Sequence, residues 1–203
     1  PLSTTRMTDG KAIDKAIKLH SKLKELGYKT CLIIPNAHAN AEREKRTIGQ
    51  TQLWASERGI GNTDLIFTSL MDAPKNESGV SPKVISDLFR LSNVFIFPTI
   101  SENCSLVLLE AMLSGNLLVL NSSVTSLREF GQENALYLDF TYREKQDDNE
   151  RYYLDLAKIV ASQFEQMKPL QAKRRAFQNH NFDHVFKKLI EPLFYEDGNI
   201  RPS

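Results

Sequence analysis

The chain has 203 residues, of which 41% are hydrophobic and 25% charged, as in ordinary soluble globular domains. Its 26 lysine and arginine residues nearly balance 25 acidic ones, which argues against a large phosphate-tracking surface and against a nucleic-acid partner. The two cysteines have no metal-binding spacing, so we expect no metal site and a reducing compartment, the cytoplasm. No apolar stretch approaches the roughly 20 residues of a transmembrane helix.

Short apolar runs alternate with amphipathic helices in the first part of the chain. Leu2 to Thr5 would form a weak first strand. Apolar residues recur at spacings of three and four from Lys11 to Leu26, which predicts a helix ended by Gly27. The next predicted elements are a strand at Thr30–Ile34, a helix at Glu42–Arg58 and a strand at Asp64–Ser69.

The second part continues the alternation and then becomes helical. Pro82 suits the first turn of a helix. The elements predicted after it are a strand at Asn93–Pro98, a helix at Leu106–Leu113 closed by Gly115, a strand at Leu117–Asn121, a helical turn at Thr125–Phe130 and a strand at Ala135–Phe140. From Glu150 onward the pattern predicts helix throughout, with a break near Pro169 and a last segment around Val185–Phe194.

Several predicted strands are apolar almost without interruption, as is typical of strands covered on both faces. With helices between them, the simplest architecture is α/β: a Rossmann-like, doubly wound parallel sheet with helices on both faces. We predict one domain over residues 1–203, with the core over about 1–145 and C-terminal helices over about 150–203. In such sheets ligands bind at the carboxyl ends of the strands.

Two cations and a helix start stand at these strand ends. Arg6 and Lys11 flank a glycine-containing turn and would suit a diphosphate, although both could equally be solvated surface residues. Ser105 can cap the helix that starts at Leu106, whose free amide groups would then face a phosphate.

Two carboxylates belong to the same segment. Glu110 lies one turn into that helix, and its carboxylate could accept both hydroxyls of a ribose; flanked by apolar residues, it should need partners. Glu102 lies in the preceding loop. The alternatives are a solvated residue for Glu110 and a helix-capping or surface residue for Glu102.

Ser101 to Gly115, SENCSLVLLEAMLSG, resembles the E-x7-E motif of retaining, GT4-type (group 1) GT-B glycosyltransferases. The two glutamates would be Glu102 and Glu110. Arg6 and Lys11 stand where that family has its R-x4-K pair, and Ser126 to Glu129 resembles its turn after the next strand. The resemblance covers nearly the whole chain and implies the C-terminal, nucleotide-sugar-binding half of a GT-B fold.

The resemblance implies a role for each of these residues. Arg6, Lys11 and Glu102 would be catalytic: the cations would hold the donor's diphosphate and stabilise the leaving group, and Glu102 would contact the transferred sugar. Glu110 would bind the ribose. The other donor-contacting residues would be Asn103, Cys104, Ser105 and Leu106 at the phosphate and Met71 at the base. The family generally needs no metal and no cofactor besides its donor, here a UDP-sugar by default, with GDP- or ADP-sugars open.

The chain departs from the family pattern in two respects. Asn103, Cys104 and Ser105 replace glycines that allow close backbone approach, which puts donor affinity in doubt. A GT-B enzyme also has an N-terminal acceptor domain. A start at Pro1 rather than methionine suggests an excised C-terminal domain, or one that works with a separate partner. The acceptor would be a sugar, a lipid or a protein.

Two other functions remain open from the sequence alone. A non-catalytic module that binds a nucleotide or a protein partner would fit the missing glycines and the missing domain. Half of a nucleotide-sugar epimerase is the other alternative, although the spacing of Glu102 and Glu110 argues against it.

The remaining candidate residues are given structural interpretations. His20, His184, Cys31 and Cys104 are expected to pack or, for the histidines, to face solvent, and Trp54 to lie in the core or an interface. The basic cluster 173–175 would be a solvated face. It would also suit an anionic membrane surface, since many acceptors of the resembled family are lipid-linked.

Overall fold

The computed structural model describes residues 11–36, 42–71, 79–140, 150–163, 175–176, 182–196 and 199–200. Four predictions lie wholly or mostly outside the described residues: the first strand at Leu2–Thr5, the role of Arg6, the break near Pro169 and the basic cluster 173–175. Of that cluster the structure describes Arg175, whose side chain is 17% exposed and pairs with Glu133 rather than being solvated as predicted. None of the described helices is both long and apolar enough to cross a bilayer.

Five strands pair in parallel, as predicted. They are β1 (Leu32–Ile34), β2 (Leu65–Phe67), β3 (Val94–Phe97), β4 (Leu117–Asn121) and β5 (Ala135–Leu138). β1 pairs with β2, and β4 lies between β3 and β5. Every residue of β3 and β4 is buried, because both faces of these strands are covered by helices.

Helices are α1 (Ile13–Glu25), α2 (Glu42–Ser56), α3 (Pro82–Leu91), α4 (Leu106–Leu113), α5 (Thr125–Gly131), α6 (Glu150–Ser162) and α7 (Phe182–Val185). They form two layers, because neighbouring strand residues point to opposite faces. Ile96 and Val119 belong to the core cluster that contains residues of α1, α2 and α6. Phe95 and Leu118 belong to the cluster that contains residues of α3, α4 and α5. The doubly wound α/β architecture is confirmed.

Local sequence signals account for several helix ends. Ser81 caps α3, its Oγ accepting a hydrogen bond from Val84 N, with Pro82 in the first turn as predicted. Gly27 follows α1 with φ 90° and Gly115 follows α4 with φ 78°, a backbone conformation that glycine adopts without steric penalty.

Several predicted boundaries differ from the structure by one or two residues, and two of these differences have a clear physical cause. α1 begins at Ile13 rather than Lys11, because Ala12 takes the left-handed conformation (φ 48°, ψ 45°) and interrupts the helix before it can start. The strand predicted to reach Ser69 ends at Phe67 and continues as a 3₁₀ turn over Thr68–Leu70, in which polar side chains bond to the neighbouring loop.

The sequence analysis predicted helix throughout the C-terminal region, and this prediction is wrong. A π-helical turn (Phe186–Ile190) and a 3₁₀ turn (Glu191–Phe194) follow α7. Two short antiparallel strands come next, β6 (Tyr195–Glu196) and β7 (Asn199–Ile200). The sequence places Asp-Gly between them, a common hairpin signal that the helical prediction overlooked.

Candidate functional site

The candidate site lies at the carboxyl ends of the strands, where the loops after β3 and β4 meet the residues just before α1. Strand β3 ends at Phe97, and Lys11 Nζ stands 5.5 Å from the centre of its ring. A cavity of about 430 Å³ opens between the two loops. The residues that line it are Ile100, Ser101, Glu102, Asn103, Ser123, Val124, Thr125, Ser126 and Glu129.

Lys11 and Glu102 form an ion pair across this edge. Lys11 Nζ lies 3.0 Å from Glu102 Oε2, although 91 residues separate the two in sequence. The other carboxylate oxygen, Oε1, accepts a hydrogen bond of 3.2 Å from Asn103 N. Their side chains are only 24% and 19% exposed, so bulk water screens the pair less than a fully exposed one. The structure brings together two of the three residues predicted to be catalytic.

The helix start after Glu102 matches the sequence prediction. Ser105 is buried and its Oγ accepts a hydrogen bond of 3.2 Å from Leu108 N, which makes it the N-cap of α4. The first turn of any helix leaves backbone N–H groups without intrahelical partners, and these carry partial positive charge. Leu106, at the first position, is 71% exposed, so this helix end is open to a ligand.

Cys104 and Asn103, in the loop before α4, are both exposed. The expectation that Cys104 packs in the interior is therefore wrong, because the loop turns its side chain outward before the chain enters the helix. Cys31 is half-buried rather than fully in the core, and burial raises the pKa of its thiol.

Glu110 projects from α4 at an exposed position. Within the part of the chain that the structure describes, its carboxylate has no hydrogen-bond or ion-pair partner, although the sequence suggested that it would need one. Partial burial among neighbouring apolar side chains raises the pKa of the Glu110 carboxyl above its ordinary value. A carboxylate that is partly desolvated, with no partner among the described residues, gains from hydroxyl donors brought by a ligand.

A buried asparagine that the sequence analysis gave no role connects the loops of the site. Asn121, the last residue of β4, is fully buried; its Nδ2 donates to Thr99 O at 2.9 Å. Its Oδ1 accepts hydrogen bonds from Ser123 N (3.2 Å) and Phe140 N (3.3 Å). The available signal was a single amide residue at the end of an otherwise apolar strand.

A second buried asparagine connects the ends of β1 and β2. Asn36 Nδ2 donates to Ser69 Oγ at 2.8 Å, and Asn36 Oδ1 accepts from Ser69 N at 3.2 Å. Met71, predicted to contact the base, lies just beyond this turn and is 52% exposed. The turn that precedes Met71 is thus anchored to the loop after β1.

Other predicted residues lie away from the site or have structural surroundings. His20 is fully buried on α1 and its Nε2 lies 3.2 Å from Thr30 O, so its packing role is confirmed. Trp54 is partly buried at the edge of the core, with the guanidinium carbon of Arg58 3.9 Å from its ring centre. Among the described residues, no group of three or more His, Cys, Asp or Glu side chains could hold a metal ion.

A larger cavity, of about 750 Å³, lies at the opposite, amino ends of the strands. Thr30 and Cys31 precede β1 in its lining, Asn93 precedes β3 and Gly115 precedes β4. It contains none of the predicted site residues.

No protein-family model and no curated protein matches the sequence. The fold, in contrast, is similar to solved structures. The C-terminal domain of a glycosyl transferase group 1 family protein (LpcC) from Francisella tularensis matches with a TM-score of 0.59 and 14% identity, over 92% of this chain and 84% of that one.

Longer proteins match over about the same part of this chain. The E. coli trehalose-6-phosphate structure bound with UDP-2-fluoro glucose has a TM-score of 0.62 and 15% identity, over 95% of this chain and 43% of its own. The pneumococcal O-GlcNAc transferase GtfA, in complex with UDP and GlcNAc, has a TM-score of 0.65 and 15% identity, over 96% of this chain and 36% of its own. The chain thus spans less than half of these two proteins, and its fold is the one that the sequence resemblance predicted: the Rossmann-like half of a GT-B fold.

Proposed function

We propose that the chain is the nucleotide-sugar-binding domain of a retaining glycosyltransferase that moves a hexose to a hydroxyl acceptor. The observation that carries the proposal is the contact between Lys11 and Glu102 at the carboxyl edge of the sheet, beside the open start of α4. A cation, a carboxylate and a helix N-terminus within one edge offer a partner to each part of a diphospho-sugar.

The diphosphate would be bound by positive groups. Lys11 Nζ and the first amides of α4 are the described donors, and Arg6 joins them by the sequence resemblance. During transfer the bond between the anomeric carbon and the diphosphate oxygen breaks, and its electron pair stays with the diphosphate. The acceptor hydroxyl oxygen forms the new bond to that carbon, and its proton would pass to the diphosphate oxygen that keeps the electron pair. Fixed positive groups at the diphosphate stabilise the charge that develops there.

The carboxylates would bind hydroxyl groups. Glu102, next to Lys11, would accept hydrogen bonds from the transferred sugar. Glu110, exposed and unpaired within the described residues, would accept both hydroxyls of the ribose. Burial of hydroxyls against carboxylates is favourable because hydrogen bonds to charged groups are worth about 1.5–3 kcal/mol each.

UDP is the first nucleotide to test. Two of the similar structures hold UDP or UDP-2-fluoro glucose, and UDP is the default donor nucleotide in the family that the sequence resembles. GDP and ADP are the other candidates. The acceptor site and the rest of the catalytic surface would come from an N-terminal domain, as the resemblance implies.

Calorimetric titration tests the donor site. The 203-residue chain is titrated with UDP, GDP and ADP and with a sugar conjugate of each. We expect saturable binding to one base, with affinity lowered about tenfold or more by Lys11→Ala and by Glu110→Ala, the loss of one charged contact each. Lys83→Ala and Glu57→Ala change the same residue types at exposed positions outside the site and should leave the affinity unchanged.

Each result decides between functions. Binding that both site variants weaken, and both control variants preserve, supports the donor domain. Equal losses in all four variants would reflect a general loss of folded protein and not the loss of site contacts. No binding to any of the nucleotides would refute a donor site that works without the N-terminal domain, and would favour a module that binds a different partner.

A further inference from the structure

The loops around Glu102 are joined by side-chain hydrogen bonds in two branches, both of which begin at Asn121. From Asn121 Nδ2 a bond of 2.9 Å reaches Thr99 O, in the loop after β3. Thr99 Oγ1 then donates to Ser101 O at 2.9 Å, directly before Glu102. This branch fixes the loop on the amino-terminal side of Glu102.

The second branch approaches Glu102 from the loop after β4. Asn121 Oδ1 accepts from Ser123 N at 3.2 Å and so holds the start of that loop. Three residues later, Ser126 Oγ donates to the backbone oxygen of Glu102 at 2.6 Å. The backbone of Glu102 is therefore held between two loops, both of which are hydrogen-bonded to the side-chain amide of Asn121.

Only an asparagine side chain satisfies this arrangement. The two N–H groups of Ser123 and Phe140 require an acceptor, and the carbonyl of Thr99 requires a donor, so the orientation of the Asn121 amide is determined by its partners. Aspartate would supply the acceptor without the donor when ionised, and leucine would supply neither. Because Asn121 is fully buried, water cannot replace a lost partner without entering the core.

We propose that Asn121 is a positioning residue, which sets the place of the Glu102 carboxylate by fixing the loops after β3 and β4 to each other. The consequence for donor binding rests on the proposed function. If Glu102 contacts the sugar, loosening of its loop should reduce affinity for the sugar part of the donor. Affinity for the diphosphate, which Lys11 and the start of α4 would bind, should change little.

The first test needs no ligand. Hydrogen exchange of the free protein is compared between wild type, Asn121→Ala and Asn116→Ala. Asn116 is a matched control: it is also fully buried, precedes β4 at the other end, and donates from Nδ2 to Phe89 O at the same 2.9 Å. We expect Asn121→Ala to speed exchange at residues 99–104 and 122–126 about tenfold or more, because these bonds limit local opening. Asn116→Ala should leave those segments at the rate that its global stability sets.

Ser126→Ala is the second variant, and it remains informative if Asn121→Ala does not fold. It removes a single bond, to Glu102 O, from a partly buried position on α5. Faster exchange should then be limited to residues 101–104. Unchanged exchange in this variant, or equal loosening by Asn116→Ala and Asn121→Ala, would overturn the positioning role.

The second test measures donor affinity with UDP and UDP-glucose. In Ser126→Ala and Asn121→Ala, affinity for UDP-glucose should fall about tenfold while affinity for UDP stays within about twofold, since a displaced loop weakens an oriented contact. A parallel loss for both ligands would refute selective positioning of the sugar contact. If wild type binds neither ligand, the proposed function fails with this donor, whereas the exchange experiment still decides whether Asn121 positions the loop.

Discussion

The ion pair between Lys11 and Glu102 predicts that removal of the carboxylate charge strengthens binding of a free nucleoside diphosphate. In the unliganded protein Lys11 Nζ is 3.0 Å from Glu102 Oε2. A diphosphate that approaches Lys11 must compete with this carboxylate and is also repelled by it. Glu102→Gln keeps the size and a hydrogen-bond acceptor but removes both effects.

The magnitude follows from the geometry. At 3.0 Å and an effective dielectric constant of about 20, the direct attraction is about 5 kcal/mol. Desolvation of the two partly buried groups offsets most of it, and a hydrogen bond between charged groups contributes a net of about 1.5–3 kcal/mol. If the smaller net value, about 1.5 kcal/mol, opposes the diphosphate, affinity for UDP should rise about tenfold when the charge is removed. UDP-glucose should gain less, because Glu102 would also bind the sugar.

Calorimetry at low ionic strength is the appropriate assay, since salt screens such effects. Glu129→Gln provides the charge control: Glu129 is an exposed carboxylate in the lining of the same cavity. Unchanged or weaker UDP binding by Glu102→Gln, or an equal gain in Glu129→Gln, would refute the reasoning. The gain should become smaller when Lys11→Ala is added, because competition for Lys11 is then absent and only the relief of repulsion remains.

Three further predictions concern stability. Burial lowers the pKa of His20 from 6.5 to about 4, so between these pH values the folded state binds fewer protons than the unfolded state. The free energy of unfolding should therefore fall by about 3 kcal/mol as the pH drops from about 6.5 to about 4. In denaturant titrations at several pH values, His20→Gln should flatten this dependence. Ala12→Gly should change stability by less than about 0.5 kcal/mol, because relief of the left-handed conformation offsets the flexibility of glycine. The control, Ala16→Gly in the buried interior of α1, should cost about 1 kcal/mol or more. A larger loss at Ala12 would show that its φ carries no strain. A methyl group on Gly131 would lie 2.6 to 3.0 Å from three neighbouring side chains, so Gly131→Ala should destabilise the protein by about 1–3 kcal/mol in thermal melts. The added methyl group of Gly49→Ala, in α2, meets nothing within 4 Å, so this variant should be neutral or stabilising in the same assay.

Elements with strong local signals could be predicted from the sequence. Helix α4 and strand β4 occupy the predicted residues, Leu106–Leu113 and Leu117–Asn121. The reason is physical: Ser105 and Gly115 mark the two ends of the helix, and the strand is an unbroken apolar run that suits burial on both faces. Glu102 and Lys11 were singled out by their place at strand ends together with the motif resemblance, because spacing alone also fits solvated surface residues.

The contacts between those residues could not be predicted. The pairing of Lys11 with Glu102 depends on how the strands are ordered in the sheet, and spacing along the chain carries no such information. The role of Asn121 depends on three partners in separate loops, each contributing backbone atoms that look alike in every sequence. The left-handed Ala12 was missed because alanine ordinarily favours helix, and the surrounding structure overrides that preference. The role of Arg6 remains a prediction.

The two layers of helices have a mechanical consequence for this site. Lys11 leads into α1, which packs on one face of the sheet, whereas Glu102 leads into α4, which packs on the other. Their ion pair therefore connects the two layers beside the end of β3. Small sliding displacements of packed helices are a common response of proteins to ligands. A diphosphate that takes the place of Glu102 beside Lys11 would remove this contact between the two layers.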